Sequence, residues 1–168
     1  DVAGPLNENF HIQDLVDAVH TARKAGVKIT IHTGEVTTAS EMWEVVTLLQ
    51  PDRIGHGIRC VDDPKLMDYL REHNIVLEVC PTSNLQTSAV KTWDEMGTII
   101  ETLKKYQVPF TINSDGPELL GINVKEEFER LIAKGILTEE DVVTCTEIAK
   151  KATFIKYAKQ QNHGRIHV

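Results

Sequence analysis

Residues 27–35 read Val-Lys-Ile-Thr-Ile-His-Thr-Gly-Glu, a β-branched run that stops at a histidine and is followed at once by a glycine and a carboxylate. Branching at Cβ favours extended backbone, so Val27 to Ile31 predicts a strand ending at His32. Reactive side chains begin where that strand stops. Upstream, Ile12, Leu15, Val16, Val19 and Ala22 recur at helical spacing, and Lys24 and Gly26 supply a basic last turn and a stop. A helix therefore feeds directly into the strand.

The same phrase recurs downstream. Met42 to Leu49 predicts a helix entered through Thr38 or Ser40, followed by a short strand around Arg53-Ile54 that stops at Gly55-His56-Gly57. Asp63 and Pro64 make a capped helix start, Leu66 to His73 carry the helix, Asn74 closes it, and Ile75 to Val79 predict a strand ending at Cys80-Pro81. A third round runs from Trp93 to Tyr106 as helix and Val108 to Ile112 as strand, ending at Asn113-Ser114-Asp115-Gly116-Pro117. Helices near Val124–Lys134 and after the capping box Thr138-Glu139-Glu140-Asp141 complete the chain.

Helices alternating with strands at this rhythm imply right-handed βαβ units and an α/β fold with a parallel sheet. Two architectures satisfy that pattern, the doubly wound sheet and the (β/α)8 barrel. In both, ligands gather at the carboxyl ends of the strands, so the reactive segments are expected to converge. About four or five strands make half of an eight-stranded barrel, which needs roughly 250 residues when complete. The chain opens at Asp1 without an initiator methionine and runs straight into Asp1-Val2-Ala3-Gly4-Pro5, which leads us to expect a piece of something longer. With no low-complexity linker in view, residues 1–168 are expected to form a single domain, half of a TIM-type barrel.

Composition narrows the partners. The chain has 168 residues, 41% hydrophobic and 26% charged, with a formal net charge of −7. It lacks the basic stripe that phosphates would neutralise, which argues against nucleic acid and for a small-molecule partner. Cys60, Cys80 and Cys145 are odd in number, widely spaced and without C-x-x-C, so neither a disulfide framework nor a cysteine zinc knuckle is indicated. No apolar run reaches the ~20 residues of a membrane span. No membrane partner and a cytoplasmic location are the expectations.

Three clusters carry chemistry. In His32-Thr33-Gly34-Glu35, the histidine can offer a neutral nitrogen to zinc and Glu35 can reach the same pocket as a proton carrier. Taken alone that pattern is weak, since a strand-end histidine often merely bonds a loop. In Arg53-Ile54-Gly55-His56-Gly57, two glycines remove side chains beside the histidine and permit unusual backbone angles, so the imidazole can enter a cleft. The alternative there is a glycine-rich turn with a surface histidine. In Ser114-Asp115-Gly116-Pro117, a carboxylate just after a strand can bind a divalent metal or hold a water, although the composition also suits an ordinary turn.

Taken together with Asp1-Val2-Ala3-Gly4 and Cys80-Pro81-Thr82-Ser83-Asn84, these segments occur in an order that closely resembles the adenosine deaminase family of metal-dependent hydrolases, over essentially the whole chain. The resemblance implies that residues 1–168 are the carboxyl-terminal half of such a TIM-type barrel, and that a zinc cofactor is held by His32 and Asp115 together with two histidines of an H-x-H pair. No H-x-H occurs among the seven histidines, His11, His20, His32, His56, His73, His163 and His167. It further implies that Glu35 donates a proton to purine N1, that His56 orients the attacking water and stabilises its charge, and that Gly4 contacts the purine through its backbone. Glu35, His56 and Asp115 are thus the expected catalytic residues, and Gly4, Glu35 and Gly116 the expected substrate contacts.

One departure matters. The family pattern places a second aspartate after the ligand, against purine N7, where this chain has Gly116. Losing such a contact weakens discrimination by ~1–3 kcal/mol. The implied reaction is hydrolytic deamination of adenosine, or more broadly of a 6-aminopurine nucleoside, to inosine and ammonia in the parent protein. Cytidine-type zinc deaminases are excluded, because their H-x-E and P-C-x-x-C ligands are missing. The alternatives are a deaminase of a modified adenine nucleoside, or a half-barrel without activity whose open sheet edges lead to self-association.

His20 and His73 are expected to be structural or solvated, and Cys80 a buried thiol. Thr82, Ser83 and Asn84 are candidates to line the pocket, though turn formation explains them as well.

Overall fold

The computed structural model describes residues 11–155. A 3-10 turn (Ile12–Leu15) leads into α1 (Val16–Lys24) and then β1 (Thr30–Thr33). Next come α2 (Ala39–Leu48), β2 (Arg53–His56), a second 3-10 turn (Ile58–Asp62), α3 (Pro64–Glu72) and β3 (Val76–Val79). Two helices, α4 (Pro81–Gln86) and α5 (Trp93–Lys105), precede β4 (Phe110–Ile112). Finally α6 (Pro117–Leu120), α7 (Val124–Ala133) and α8 (Glu139–Ala152) follow.

Helix starts match residues that can accept a hydrogen bond from the open amides of a first turn. Thr38 caps α2, Asp63 caps α3 through Lys65 N and Leu66 N, and Thr92 caps α5. Reciprocal capping boxes open α7 (Asn123 with Glu126) and α8 (Thr138 with Asp141). The first of these was not anticipated from the sequence.

The strands are all parallel and lie in the order β1-β2-β3-β4. A monotonic order means that every crossover steps the same way, which places the helices on one face. A doubly wound sheet would instead reverse direction and cover both faces. The register agrees with the barrel alternative. Ile31, Ile54, Leu77 and Phe110 stand side by side across the sheet, and all four are buried with helix residues such as Val45, Met67, Ile100 and Leu103. One residue further along, the aligned row is His32, Gly55, Glu78 and Thr111, a polar row suited to a barrel interior. Thr30 Oγ1 donates to Glu78 Oε2 at 3.0 Å and Arg53 Nε pairs with Glu78 Oε1 at 3.1 Å on that same face.

Strand limits differ from expectation in an instructive way. β1 starts at Thr30 rather than Val27, because Val27 is exposed and the Ile29 amide donates to Asp52 Oδ2 instead of joining the ladder. β1 and β2 both run further than expected, through His32 to Thr33 and through Gly55 to His56, so the two histidines lie within paired strands and not beyond them. His20 is exposed on α1, and His73 stacks on Tyr69, as expected for solvated positions. Among the described residues no helix is long and apolar enough to cross a membrane.

Candidate metal and proton-transfer site

The carboxyl ends of β1, β2 and β4 bring His32, Glu35, His56 and Asp115 together. Backbone geometry helps aim two of them. His56 (φ 61°) and Asp115 (φ 59°) both adopt the left-handed conformation, which costs an ordinary residue roughly 1–3 kcal/mol. The surrounding structure offsets that cost.

The imidazole of His32 lies over Gly55 of the neighbouring strand. A Cβ built on Gly55 would stand 2.8 Å from the His32 ring carbons. The glycine was expected to free its sequence neighbour His56; instead it makes room for a ring from across the sheet. The two imidazoles meet edge to face with centroids 5.3 Å apart.

One ligand atom each from His32, His56 and Asp115 lies within 4.8 Å of the others. Ligand atoms about 2.0–2.2 Å from a tetrahedral zinc stand roughly 3.4 Å apart, so a contraction of about an ångström would let this donor set hold the ion. Two nitrogens and a carboxylate are donors that zinc accepts. The site also draws in His56, which the resemblance implied as a water-orienting group and not as a ligand.

Helix α4 sits directly behind this cluster. Ser83 Oγ donates to Asp115 Oδ2 at 2.7 Å. Asn84 Nδ2 lies 3.0 Å from Glu35 Oε1 and 3.0 Å from His56 Nδ1, and Thr87 Oγ1 donates to Glu35 Oε1 at 2.9 Å. The remaining carboxyl oxygen, Glu35 Oε2, lies 3.6 Å from His56 Nε2. The loop that carries Glu35 is pinned by Gly34 N donating to Thr37 Oγ1 and by Thr33 Oγ1 donating to Glu41 Oε1. Burial holds the His56 imidazole below the ordinary histidine value, against the Glu35 and Asp115 carboxylates, which pull it upward.

Helix α4 is itself held by α7. Glu127 Oε1 accepts from Thr82 N at 3.1 Å, and Arg130 donates to Thr82 Oγ1 at 3.0 Å. Glu127 has no exposed surface, and burial raises its carboxyl above the usual glutamate range despite the Thr82 bond and the nearby Arg130. Thr82, Ser83 and Asn84, read as turn formers or pocket lining, are thus buried in a helix that supports the cluster. Thr87, Glu127 and Arg130 were missed. Pro81 at the first helical position was the one local signal that could have revealed α4.

Gly116 precedes α6, and a Cβ there would meet only Leu119 Cβ at an ordinary 3.7 Å. Packing therefore does not require glycine at this position. Gly4 lies outside the described residues. The three cysteines are free and buried, and burial pushes Cys60 and Cys145 up to about 12 and Cys80 upward as well, so none offers a thiolate.

A separate cavity of about 700 Å³ opens at the other end of the strands, between Lys28, Asp52, Asn74, Pro109 and Phe154. Its carboxylate is already paired with Lys28 at 2.6 Å.

Comparison with known proteins identifies the family. The sequence model of the adenosine deaminase family matches residues 3–163. Adenosine deaminase of Serratia proteamaculans is 36% identical over 140 residues, which is 83% of this chain and 42% of that protein. Adenosine deaminase of Aliivibrio fischeri strain MJ11 is 39% identical over 120 residues, 71% of this chain and 35% of that protein. The chain thus spans well under half the length of these curated relatives.

Among solved structures, adenine deaminase of Arthrobacter aurescens superposes with a TM-score of 0.80 at 24% identity, covering 91% of this chain and 46% of that one. A zinc-bound amidohydrolase of Burkholderia ambifaria gives 0.77 at 25% identity, covering 90% and 43%. The N6-methyl-AMP deaminase of Arabidopsis thaliana gives 0.74 at 22% identity, covering 89% and 43%. These likenesses support the fold as part of a TIM-type barrel. On its sequence match and its strand-end residues, this chain belongs to the adenosine deaminase family.

Proposed function

We propose that this chain supplies the carboxyl-terminal part of a zinc-dependent site for hydrolytic deamination of adenosine, or more broadly of a 6-aminopurine nucleoside. The observation that carries the reading is the convergence of His32, Asp115, Glu35 and His56 on one rim. His32 and Asp115 would hold the metal, with Ser83 fixing the carboxylate of Asp115. Bound zinc supplies a Lewis acid that makes water nucleophilic near neutral pH.

The chain's own groups would move the protons. Glu35 hands a proton to ring nitrogen N1, which withdraws electrons from C6 and opens it to attack. His56, buried beside Glu35 and His32, orients the incoming water and stabilises the charge that develops on its oxygen. Water adds at C6, the 6-amino group leaves as ammonia, and the product is the 6-oxopurine nucleoside. Gly4 would add a backbone contact to the purine. Gly116 offers no side chain toward N7, which favours a tolerant purine site and keeps a modified adenine nucleoside as an alternative substrate.

The family's H-x-H pair is not in this sequence. With two of four protein ligands, the chain alone is expected to bind zinc weakly and to turn over negligibly. A second reading, self-association of half-barrels, is supported by β1 and β4, each of which pairs with one strand only among the described residues. Light scattering tests it, and a well-behaved monomer counts against it.

The deciding experiment is release of ammonia from adenosine and adenine, and of methylamine from N6-methyl-AMP, by the zinc-loaded protein that combines this segment with an H-x-H segment. Deamination of a nucleoside, lost in Glu35→Gln, supports the reading. No release from any 6-aminopurine refutes it.

A further inference from the structure

Asn84 has no exposed surface and lies between the two groups that would move protons. Its amide nitrogen is 3.0 Å from both Glu35 Oε1 and His56 Nδ1, while its Oδ1 is buried and has no hydrogen-bond partner among the described residues. An amide nitrogen carries two hydrogens and accepts nothing, so each contact uses one N–H. The reversed amide would set Oδ1 against a carboxyl oxygen that already accepts from Thr87, two acceptors face to face. Glu35 therefore fixes which way the amide points.

Two consequences follow. Both lone pairs of Glu35 Oε1 are occupied, one by Asn84 and one by Thr87, so Oε2 is the carboxyl oxygen left to take up and release a proton. On the imidazole, Nδ1 must accept the second amide hydrogen, so the neutral ring carries its proton on Nε2, the atom 3.6 Å from Glu35 Oε2. A ring that presents N–H has no lone pair for a metal at that atom. His56 then faces the cluster as a hydrogen-bond donor, although its distance alone would admit it as a third ligand beside His32 and Asp115.

We propose that Asn84 is a positioning residue whose side-chain amide fixes His56 in the Nε2–H tautomer, keeping it out of the ligand set, and confines the exchangeable proton of Glu35 to Oε2. The roles of His56 and Glu35 rest on the proposed deaminase reading; the tautomer itself does not. A metal-binding histidine usually donates its second nitrogen's proton to an oxygen acceptor. An amide nitrogen at that position is the opposite arrangement, and it distinguishes His56 from a ligand.

The test reads the imidazole directly, without substrate or metal. In the 15N-histidine-labelled chain, two-bond proton–nitrogen correlations at a pH where the ring is neutral should give His56 the Nε2–H pattern. Asn84→Asp, of equal size, should switch it to Nδ1–H at a pH where the new carboxyl is ionised and can only accept. The freed Nε2 lone pair should then tighten zinc binding about tenfold. Thr87→Val, which removes only the other bond to Glu35, should leave the tautomer unchanged. An Nδ1–H pattern in the unaltered chain overturns the assignment, and so does a folded Asn84→Asp chain, with that carboxyl ionised, that keeps the tautomer and zinc affinity of the parent. Should that variant fail to fold, the unaltered spectrum decides by itself. A chain that deaminates nothing would still show which nitrogen carries the proton.

Discussion

Replacing Gly55 with alanine adds one methyl group at the point where His32 lies against its neighbouring strand. That methyl would stand 2.8 Å from two His32 ring carbons and 2.9 Å from its Nδ1. Carbon atoms rest at about 3.5–4.0 Å, so the ring must retreat by roughly 0.7–1.2 Å or the paired strands must part. Overfilling a packed position of this kind costs about 1–3 kcal/mol of stability. The larger effect falls on the site, since a displacement of about 1 Å can cost on the order of 100-fold in a reaction that depends on positioning.

The assay is zinc affinity by competition with a chromophoric chelator, measured beside thermal unfolding. Gly55→Ala should weaken zinc binding at least tenfold while the chain stays folded. Gly97→Ala is the matched control, because its Cβ would meet only Ile136 at 3.5 Å and lies within helix α5, where alanine stabilises by about 0.5–1 kcal/mol. A folded Gly55→Ala chain with parental zinc affinity would refute the placement of His32 as a ligand seated on that glycine.

Ser83→Ala removes the hydroxyl that holds Asp115 Oδ2, and zinc affinity should fall about 10–100-fold, as is usual for partners behind a ligand, with little change in backbone hydrogen exchange outside α4. Glu127→Gln keeps the acceptor for Thr82 N but removes a buried charge. Because burial raises its folded-state value, the carboxyl's contribution to stability is present below the ordinary glutamate range of about 4.3 and is lost as pH rises through the raised value. The variant should therefore unfold at higher temperature than the parent at pH 7 and gain nothing in strong acid; equal shifts at both pH values would contradict this. Asp52 behaves oppositely: burial alone would raise it, but Lys28 and the Ile29 amide outweigh burial and hold it below the ordinary value. Asn at position 52 should cost stability above about pH 3.9 and cost progressively less as pH falls through the lowered value, followed by unfolding midpoints across pH.

Much of the fold was readable because parallel strands announce themselves chemically. Val27 to Ile31, Ile75 to Val79 and Val108 to Ile112 are apolar or β-branched runs, each followed by polar or constrained residues at a strand end. The rule that such ends share one rim was enough to bring His32, Glu35, His56 and Asp115 together. Half of a TIM-type barrel was expected from the number of strands and the length of the chain, and the strand order and the polar row His32, Gly55, Glu78, Thr111, both properties of pairing, bear it out.

Other features were hidden because they depend on pairing and tertiary contact. Gly55 looks like a partner of His56 along the chain, yet its missing side chain serves His32 across the sheet. Thr82, Ser83 and Asn84 look like turn residues, and they form helix α4 where Glu127 and Arg130, more than forty positions away, meet Thr82. Local preference is overridden there by tertiary contact.

The central claim is that His32 and Asp115 form part of one metal site with Glu35 beside it. Equilibrium dialysis of zinc against the chain and against His32→Ala, Asp115→Ala and Glu35→Gln tests it most directly. Zinc binding should be lost in the first two variants and kept in the third. Zinc bound equally well by all four chains would contradict it.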